Sequence, residues 1–227
     1  MDDTALLRLL QLVNPNLPIG GFTYSQGAEW ACEAGWLQNK RDAYEWLLSL
    51  INESLVIFDL PLLLRLFKAL DNNDLVAFSD FSQLAYAGRE TDELRLEDTQ
   101  CAEALVRVLN NLNITDQWSH WQALQSDLTK TLLAPFAMAG INWHISLDHL
   151  LQGFLWAWLE SRVAALIKLV PLGQSDGQWL LYQLSEYLPQ AVLIAKHVSD
   201  EEIGSAAFGM VIASCQHETQ YCRLFRS

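Results

Sequence analysis

The side chains best suited to bind a metal lie near the C-terminus, where Cys215, His217 and Cys222 form a C-x-H-x4-C pattern. Thiolate and imidazole are ligand types that hold zinc or nickel. The spacing matches no standard structural zinc site, and an isolated cysteine is most often buried in a core. The sequence therefore leaves two interpretations open: a soft-metal site, or packing in a core or an interface.

Hydroxyl, carboxyl and glycine residues with catalytic potential gather in NPNLPIGGFTYSQGAEW, residues 14–30. Ser25 lies outside a G-x-S-x-G turn and has no recognisable histidine or aspartate partner. Glu29 and Glu33 share a helix face, where paired carboxylates can do acid–base work but more often form a solvated face. The glycines lack the G-K-[ST] ending of a phosphate-binding loop. We therefore predict a protein that is not an enzyme and has no cofactor.

The elements that position these residues are predicted to be helices. Apolar residues recur at helical spacing, and no stretch alternates apolar and polar residues over a strand's length. We predict an all-α, single-domain bundle of roughly ten helices over residues 1–227. Asn39 and Asp74 are predicted to cap helices, and Asp59 with Pro61 to begin another. The longest helix is predicted in SLDHLLQGFLWAWLESRVAALIKLV, which is apolar nearly all round and so belongs in the centre of the bundle.

Charge and hydropathy exclude two classes of partner. The net charge is −13, from 14 Lys and Arg against 27 Asp and Glu, which argues against nucleic acid. Glu160, Arg162 and Lys168 interrupt the most apolar stretch, which argues against a membrane span. The four cysteines include no CxxC pair and MDDTALLRLL has no basic n-region, so we expect reduced thiols and a cytoplasmic protein.

Two segments have a composition typical of protein interfaces. In residues 14–30, hereafter the break, Pro15 and Pro18 stiffen the chain and Tyr24 offers a rigid ring with a polar tip. The alternative is a tight corner with Tyr24 packed inside. The C-terminal tail, residues 216–227, combines aromatic, arginine and apolar residues, which anchor interfaces. Its alternative is to pack back on its own domain.

Four segments, in order along the chain, together resemble the UreF family of urease accessory proteins: LQLVNPNLPIGGFTYSQGAEW, RETDELRLED, LWAWLESRVAALIKLVPLGQSDGQ and HETQYCRLFRS. Each segment alone is a weak signal, and the four together are specific. Two positions depart from the family pattern, with Cys222 where Ser or Thr is common and Ala28 where Leu is frequent. Both changes are on the scale of local packing.

The resemblance implies an all-α adaptor or chaperone for nickel insertion into apo-urease. It implies a homodimer that binds a UreD (UreH) scaffold protein and recruits the UreG GTPase, with GTP hydrolysis coupled to nickel release. The alternative function is a nickel-binding metallochaperone that uses Cys215, His217 and Cys222.

The resemblance and the tail's composition together assign three sets of partner-binding residues and no catalytic residue. For Lys168, which belongs to the third set, the sequence leaves open an alternative role in which its aliphatic stem lies along a buried helix and its ammonium group reaches water. The three sets are Tyr24, Ser25, Glu29 and Arg223 for the GTPase; His217, Gln220, Tyr221, Leu224, Phe225 and Arg226 for the scaffold; and Lys168 and Gln174 for a dimer or partner seam.

Overall fold

The computed structural model describes residues 2–227, and the regular structure in that range is helical. This confirms the predicted all-α bundle. Single-turn 3-10 segments lie at Gly21–Thr23, Thr115–Gln117 and Asp200–Glu202. The α-helices are α1 (Asp3–Leu12), α2 (Ala28–Glu33), α3 (Lys40–Leu50), α4 (Leu60–Asp71), α5 (Leu75–Ala87), α6 (Asp92–Asn111), α7 (Gln125–Leu128), α8 (Leu133–Asn142), α9 (Leu147–Leu169), α10 (Gln174–Ser185), α11 (Leu188–Ala195) and α12 (Phe208–His217).

The predicted helix start at Asp59 and Pro61 coincides with the start of α4, but it is not a free helix end, because a π-helical segment, Ile51–Asp59, joins α3 and α4 into one continuous helix. A proline inside a helix lacks an N–H and crowds the carbonyl four residues back, here that of Ile57. That carbonyl instead accepts the N–H of Gly204 at 3.1 Å, and the Glu53 carbonyl accepts that of Ala206 at 2.7 Å. A loop from the far end of the chain thus bonds to carbonyls of the π-helical segment.

The predicted central helix is α9, which has 23 residues. It packs against α1, α2, α3, α4, α8, α10 and α11, and Leu151, Leu155 and Leu159 along it are fully buried. A helix contacted from so many directions must be apolar on most of its surface. The sequence prediction of a long, central, buried helix is confirmed.

A single cluster of buried apolar side chains links Ala5 in α1 to Ala213 in α12.

The continuous helix Lys40–Asp71 is long and apolar enough, by length and composition alone, to cross a membrane. Within the bundle 72% of its most apolar window is buried, and its α4 part packs against α5 and α8. That burial is typical of a core helix. The division into one domain with a partner-binding tail at residues 216–227 stays a prediction.

Candidate functional site

The break and the C-terminal tail, the two segments with interface composition, meet in the structure. Arg226 donates its N–H to the carbonyl of Thr23 at 2.8 Å, and Ser25 donates its N–H to the carbonyl of Ser227 at 2.6 Å. The Ser25 hydroxyl donates to the same Ser227 carbonyl. We call residues 20–29 and 217–227, with the α6 side chains that contact them, the loop–tail junction. The tail therefore packs back on its own domain, which is the alternative that the sequence left open.

Two side chains of the central helix hold one backbone carbonyl of the break. Arg162 of α9 donates from Nη2 to the Gly21 carbonyl at 3.1 Å, and the Ser161 hydroxyl donates to it at 3.2 Å. Gly20 and Gly27 flank this part of the chain with left-handed backbone angles, φ +81° and +78°. Glycine adopts these angles at little cost, which allows the chain to turn twice within a short distance.

Glu29 of α2 anchors the tail through its backbone. Its carboxylate accepts the N–H of Leu224 at 2.6 Å and the N–H of Phe225 at 2.8 Å. Nε2 of His217 lies 3.3 Å from the same carboxylate. Glu29 is only 8% exposed, so these bonds form away from bulk water. Hydrogen bonds to an ionised acceptor are stronger than neutral ones, which makes Glu29 the main polar anchor of the tail.

Glu93 of α6, a residue that the sequence analysis did not select, holds the opposite side of the junction. One carboxylate oxygen lies 2.8 Å from Nδ1 of His217, and the other accepts a hydrogen bond from Nη1 of Arg223 at 2.8 Å. His217 has no exposed surface, so its ring lies buried between the carboxylates of Glu29 and Glu93. The available signal was the segment RETDELRLED, which contains Glu93.

The three candidate metal ligands do not converge. Cys215 and Cys222 are exposed, whereas His217 is buried with both ring nitrogens facing carboxylates. Among residues 2–227 no group of three His, Cys, Asp or Glu side chains has a geometry that could hold a metal ion. The spacing of the motif therefore does not translate into a metal-binding arrangement in this structure.

The residues predicted for the GTPase side divide into buried and exposed ones. Tyr24 and Ser25 are each 2% exposed and Glu29 is also buried, so these three stabilise the junction from inside. Arg223 is exposed. The exposed apolar side chain of the break is Phe22, 61% exposed, which the sequence analysis did not select. Of the residues predicted for the GTPase side, Arg223 is therefore the accessible one, and Phe22 is exposed in the same junction.

The hydroxyl of Tyr24 donates a hydrogen bond to the side chain of Gln100 on α6. Burial raises the pKa of Tyr24, and the nearby Arg226 opposes that rise. The ring therefore stays a neutral phenol at physiological pH. Its role in this structure is to tie the break to α6.

The residues predicted for the scaffold side also differ in exposure. Tyr221 is fully exposed and Leu224 is 67% exposed, whereas Phe225 is buried. Gln220 is half-buried and donates to Glu33 of α2 at 2.6 Å, and Arg226 is exposed. The side chains of Gln220 and Arg223 thus help to hold the tail, whereas those of Tyr221 and Leu224 are exposed and make no polar bond to the rest of the chain.

Lys168 and Gln174, predicted at a dimer or partner seam, are both exposed. Lys168 lies in the last turn of α9, with its ammonium nitrogen 5.7 Å from the centre of the Phe225 ring. A cation above an aromatic face is attracted to it. Lys168 therefore contributes to the docking of the tail, and Gln174 is the first residue of α10.

Buried charges lie beneath the junction. Glu97 of α6 accepts from the Ser227 hydroxyl at 3.3 Å and lies 3.5 Å from Nη1 of Arg162. Burial raises the pKa of Glu97, and the positive charge of Arg162 works against that rise. Nε of Arg162 is buried and has no hydrogen-bond partner in the described part of the chain.

A second cation, the half-buried Arg89, bridges the buried carboxylates of Asp59 in the π-helical segment at 2.6 Å and of Asp98 in α6 at 2.9 Å. Burial acts to lower the pKa of Arg89, but the two carboxylates outweigh it and the pKa is raised. Arg89 and Arg162 both line a cavity of about 140 Å³, together with Cys101. Burial raises the pKa of the Cys101 thiol to about 12, so the thiol is protonated and unreactive.

Comparisons with known proteins show the family of the chain. A family model described as UreF matches residues 37–185, more than half of the chain. A protein of Alcanivorax borkumensis named urease accessory protein UreF is 47% identical over 100% of both chains. A protein of the same name from Pseudomonas putida W619 is 44% identical over 99% of both chains. Another, from Marinomonas sp. MWYL1, is 39% identical over 99% of this chain and 95% of its own length.

Proposed function

This chain belongs to the UreF family of urease accessory proteins, and from that premise we propose that it acts in urease maturation as a non-catalytic adaptor. In this proposal it bridges a UreD/UreH-type scaffold protein and a UreG-type GTPase, so that nickel is delivered to apo-urease. It regulates the GTPase within that complex and does so as a cytoplasmic homodimer.

The observation that supports an adaptor is the construction of the loop–tail junction. Glu29 holds the tail by backbone N–H groups, so Tyr221 and Leu224 extend outward, and the exposed Arg223 lies beside them in its ion pair with Glu93. Aromatic and arginine side chains are the most frequent energetic anchors of protein interfaces. A tail that is positioned by its backbone and exposes such side chains is suited to bind another protein.

Co-purification with the scaffold protein tests the first part of the proposal. We expect a Tyr221→Ala, Leu224→Ala double variant to lose scaffold capture, because it removes exposed anchors and keeps the backbone bonds to Glu29. The matched control is Val76→Ala, since Val76 is 73% exposed on α5 and belongs to neither segment. Circular dichroism shows whether the double variant keeps its helical fold. If the folded double variant still captures the scaffold normally, the tail is not the scaffold-binding segment.

Capture of the GTPase tests the second part. We expect Phe22→Ala to weaken GTPase binding without loss of fold, because Phe22 is exposed and its ring is the prominent apolar group of the break. Leu7→Ala is the control, since Leu7 is 65% exposed on α1. Arg223→Ala should have a larger effect, because it also removes the ion pair with Glu93. GTPase binding that is unchanged in both Phe22→Ala and Arg223→Ala would contradict this part.

The homodimer is proposed to use the surface around Lys168 and Gln174. Sedimentation velocity of the isolated chain measures its oligomeric state. We expect a dimer that dissociates when Gln174 is replaced by arginine, which adds a bulky charge at an exposed position. A monomeric wild-type chain would remove the dimer from the proposal and leave the adaptor function standing.

Equilibrium dialysis with nickel separates the adaptor from a metallochaperone. An adaptor that touches no nickel itself retains little of the ion. Stoichiometric retention that is lost in a Cys215→Ser, Cys222→Ser variant would instead favour the metallochaperone. The divergence of Cys215, Cys222 and His217 supports the adaptor.

A further inference from the structure

We propose that the cavity between α6, α9 and the π-helical segment binds a small, uncharged and largely apolar molecule of about the size of one aromatic ring. The adaptor function does not require such a ligand, so the inference goes beyond that function and does not depend on it. The cavity measures about 140 Å³. A cavity of about 150 Å³ with a wall of aliphatic and aromatic side chains is large enough to bind benzene.

Most of the wall of the cavity is apolar. Leu55 and Phe58 of the π-helical segment, Leu105 of α6 and Phe154 of α9 are buried side chains that line it. Protein interiors contain few voids larger than a water molecule, so an apolar space of this size is unusual in a packed bundle. Sites for small molecules typically combine a wall of this kind with a few polar groups. The cavity therefore has the size and the lining of a site for a small apolar molecule.

The charged groups of the wall are already paired with one another, which disfavours a charged ligand. Arg89 bridges Asp59 and Asp98, and Arg162 lies against Glu97. An ion that entered would lose its hydration and find no free counter-ion among these groups. Nε of Arg162 is a buried donor without a hydrogen-bond partner in residues 2–227. An uncharged molecule with one oxygen acceptor suits that donor, and a water molecule suits it when no ligand is bound.

The cavity adjoins the break and the loop before α12. Ile19 and Gly21 of the break and Ser205 of that loop line it, and all three residues are only half-buried. We therefore expect a ligand to enter on this side, without unfolding of α6 or α9. A bound molecule would contact the inner side of the break, the segment that exposes Phe22 on its outer side.

Nuclear magnetic resonance of the full-length chain with labelled methionine methyl groups provides the test. Met210 lines the cavity, whereas Met138 of α8 is buried outside it and serves as the internal reference. The probe is benzyl alcohol, an uncharged single ring with one hydroxyl oxygen. We expect it to shift the Met210 signal saturably, with a dissociation constant on the order of 1 mM, and to leave the Met138 signal unchanged. Benzoate and benzylamine have the same ring with a negative and a positive charge at neutral pH, and they should produce no saturable shift.

Two variants make the same substitution at different positions of α9. Ala157 lines the cavity, whereas Ala164 is exposed and does not line it. Ala157→Leu fills part of the space, so it should weaken the binding of benzyl alcohol by about tenfold or more, and Ala164→Leu should keep the wild-type affinity.

Three results would overturn the proposal. The first is a wild-type chain in which benzyl alcohol produces no saturable shift of Met210, which would mean that the cavity holds water alone. The second is binding of benzoate or benzylamine as tight as that of benzyl alcohol. The third is unchanged binding in a folded Ala157→Leu variant. If that variant fails to fold, the comparison of the three probes on the wild type still decides.

Discussion

Replacing Gly27 by alanine probes the contact on which the loop–tail junction is built. Gly27 precedes α2 with φ +78°, and an added Cβ would lie 2.8 Å from the backbone nitrogen of Ser214 and 2.9 Å from Cβ of Ala213. Both neighbours belong to α12, so the new methyl group would press against a helix backbone. Relief requires α12 to move away from α2, and α12 carries His217 at its C-terminal end.

The expected loss of unfolding free energy in Gly27→Ala has two parts, and a second variant, Gly20→Ala, separates them. A left-handed backbone at a residue with a Cβ costs about 1–2 kcal/mol. Overpacking against atoms that cannot rotate away costs about 1–3 kcal/mol more. Gly20 has nearly the same backbone angle, φ +81°, but an added Cβ there would meet nothing within 4 Å. We therefore expect Gly27→Ala to lose about 2–5 kcal/mol of unfolding free energy. Gly20→Ala should lose only the backbone cost of about 1–2 kcal/mol.

Urea denaturation followed by circular dichroism measures both variants against the wild type. Equal m-values would show that the same surface is exposed on unfolding, so the midpoints can be compared directly. The expected difference between the two alanine variants is about 1–3 kcal/mol. If the two variants unfold at the same midpoint, α12 is not packed on Gly27 as described, and the reasoning fails.

Three further predictions concern the buried charges. Arg89→Met leaves the buried carboxylates of Asp59 and Asp98 without their cation, so we expect a loss of about 3–5 kcal/mol in unfolding free energy by urea denaturation. Burial raises the pKa of Glu97 above the ordinary value of a glutamate, so its contribution to stability is full below that ordinary value and is lost as the pH rises through the raised pKa. The stability of the wild type relative to Glu97→Gln, from urea denaturation at several pH values, should therefore fall over that range; a constant difference would contradict the assignment. A high-resolution crystal structure should show an ordered water about 3 Å from Nε of Arg162, because this donor is buried without a partner and Arg162 lines a cavity that Glu97 and Asp98 also line.

The helices could be predicted because their signals are local. Asn39 accepts the N–H groups of Arg41 and Asp42, and Asp74 accepts that of Ala77, which are bonds within one turn of each cap. The apolar surface of α9 likewise shows directly in its own residues. The continuous helix through Pro61 could not be predicted, because the N–H groups that bond to its carbonyls come from the loop before α12.

The candidate site was predictable in its residue types and not in its arrangement. The composition of the tail indicated a segment that makes contacts, and it does. The bond from Leu224 to Glu29 joins positions 195 residues apart, and no local pattern encodes such a pairing. Tyr24 has the character of an interface residue, yet its ring is buried and its hydroxyl donates a hydrogen bond to Gln100 within the same chain. Glu93 was overlooked because an acidic residue in the first turn of a helix has an ordinary local explanation.

The number of residues in the π-helical segment fixes both the rotation of α4 and the position of the carbonyls that hold the loop before α12. Each residue of a helix turns the following side chains by about 100°, so deleting one residue from the segment would swing the apolar side of α4 away from α8. The same deletion would shift the carbonyls of Glu53 and Ile57 out of reach of Ala206 and Gly204. A change of one residue in the length of this stretch therefore misplaces α4 and the loop before α12 together.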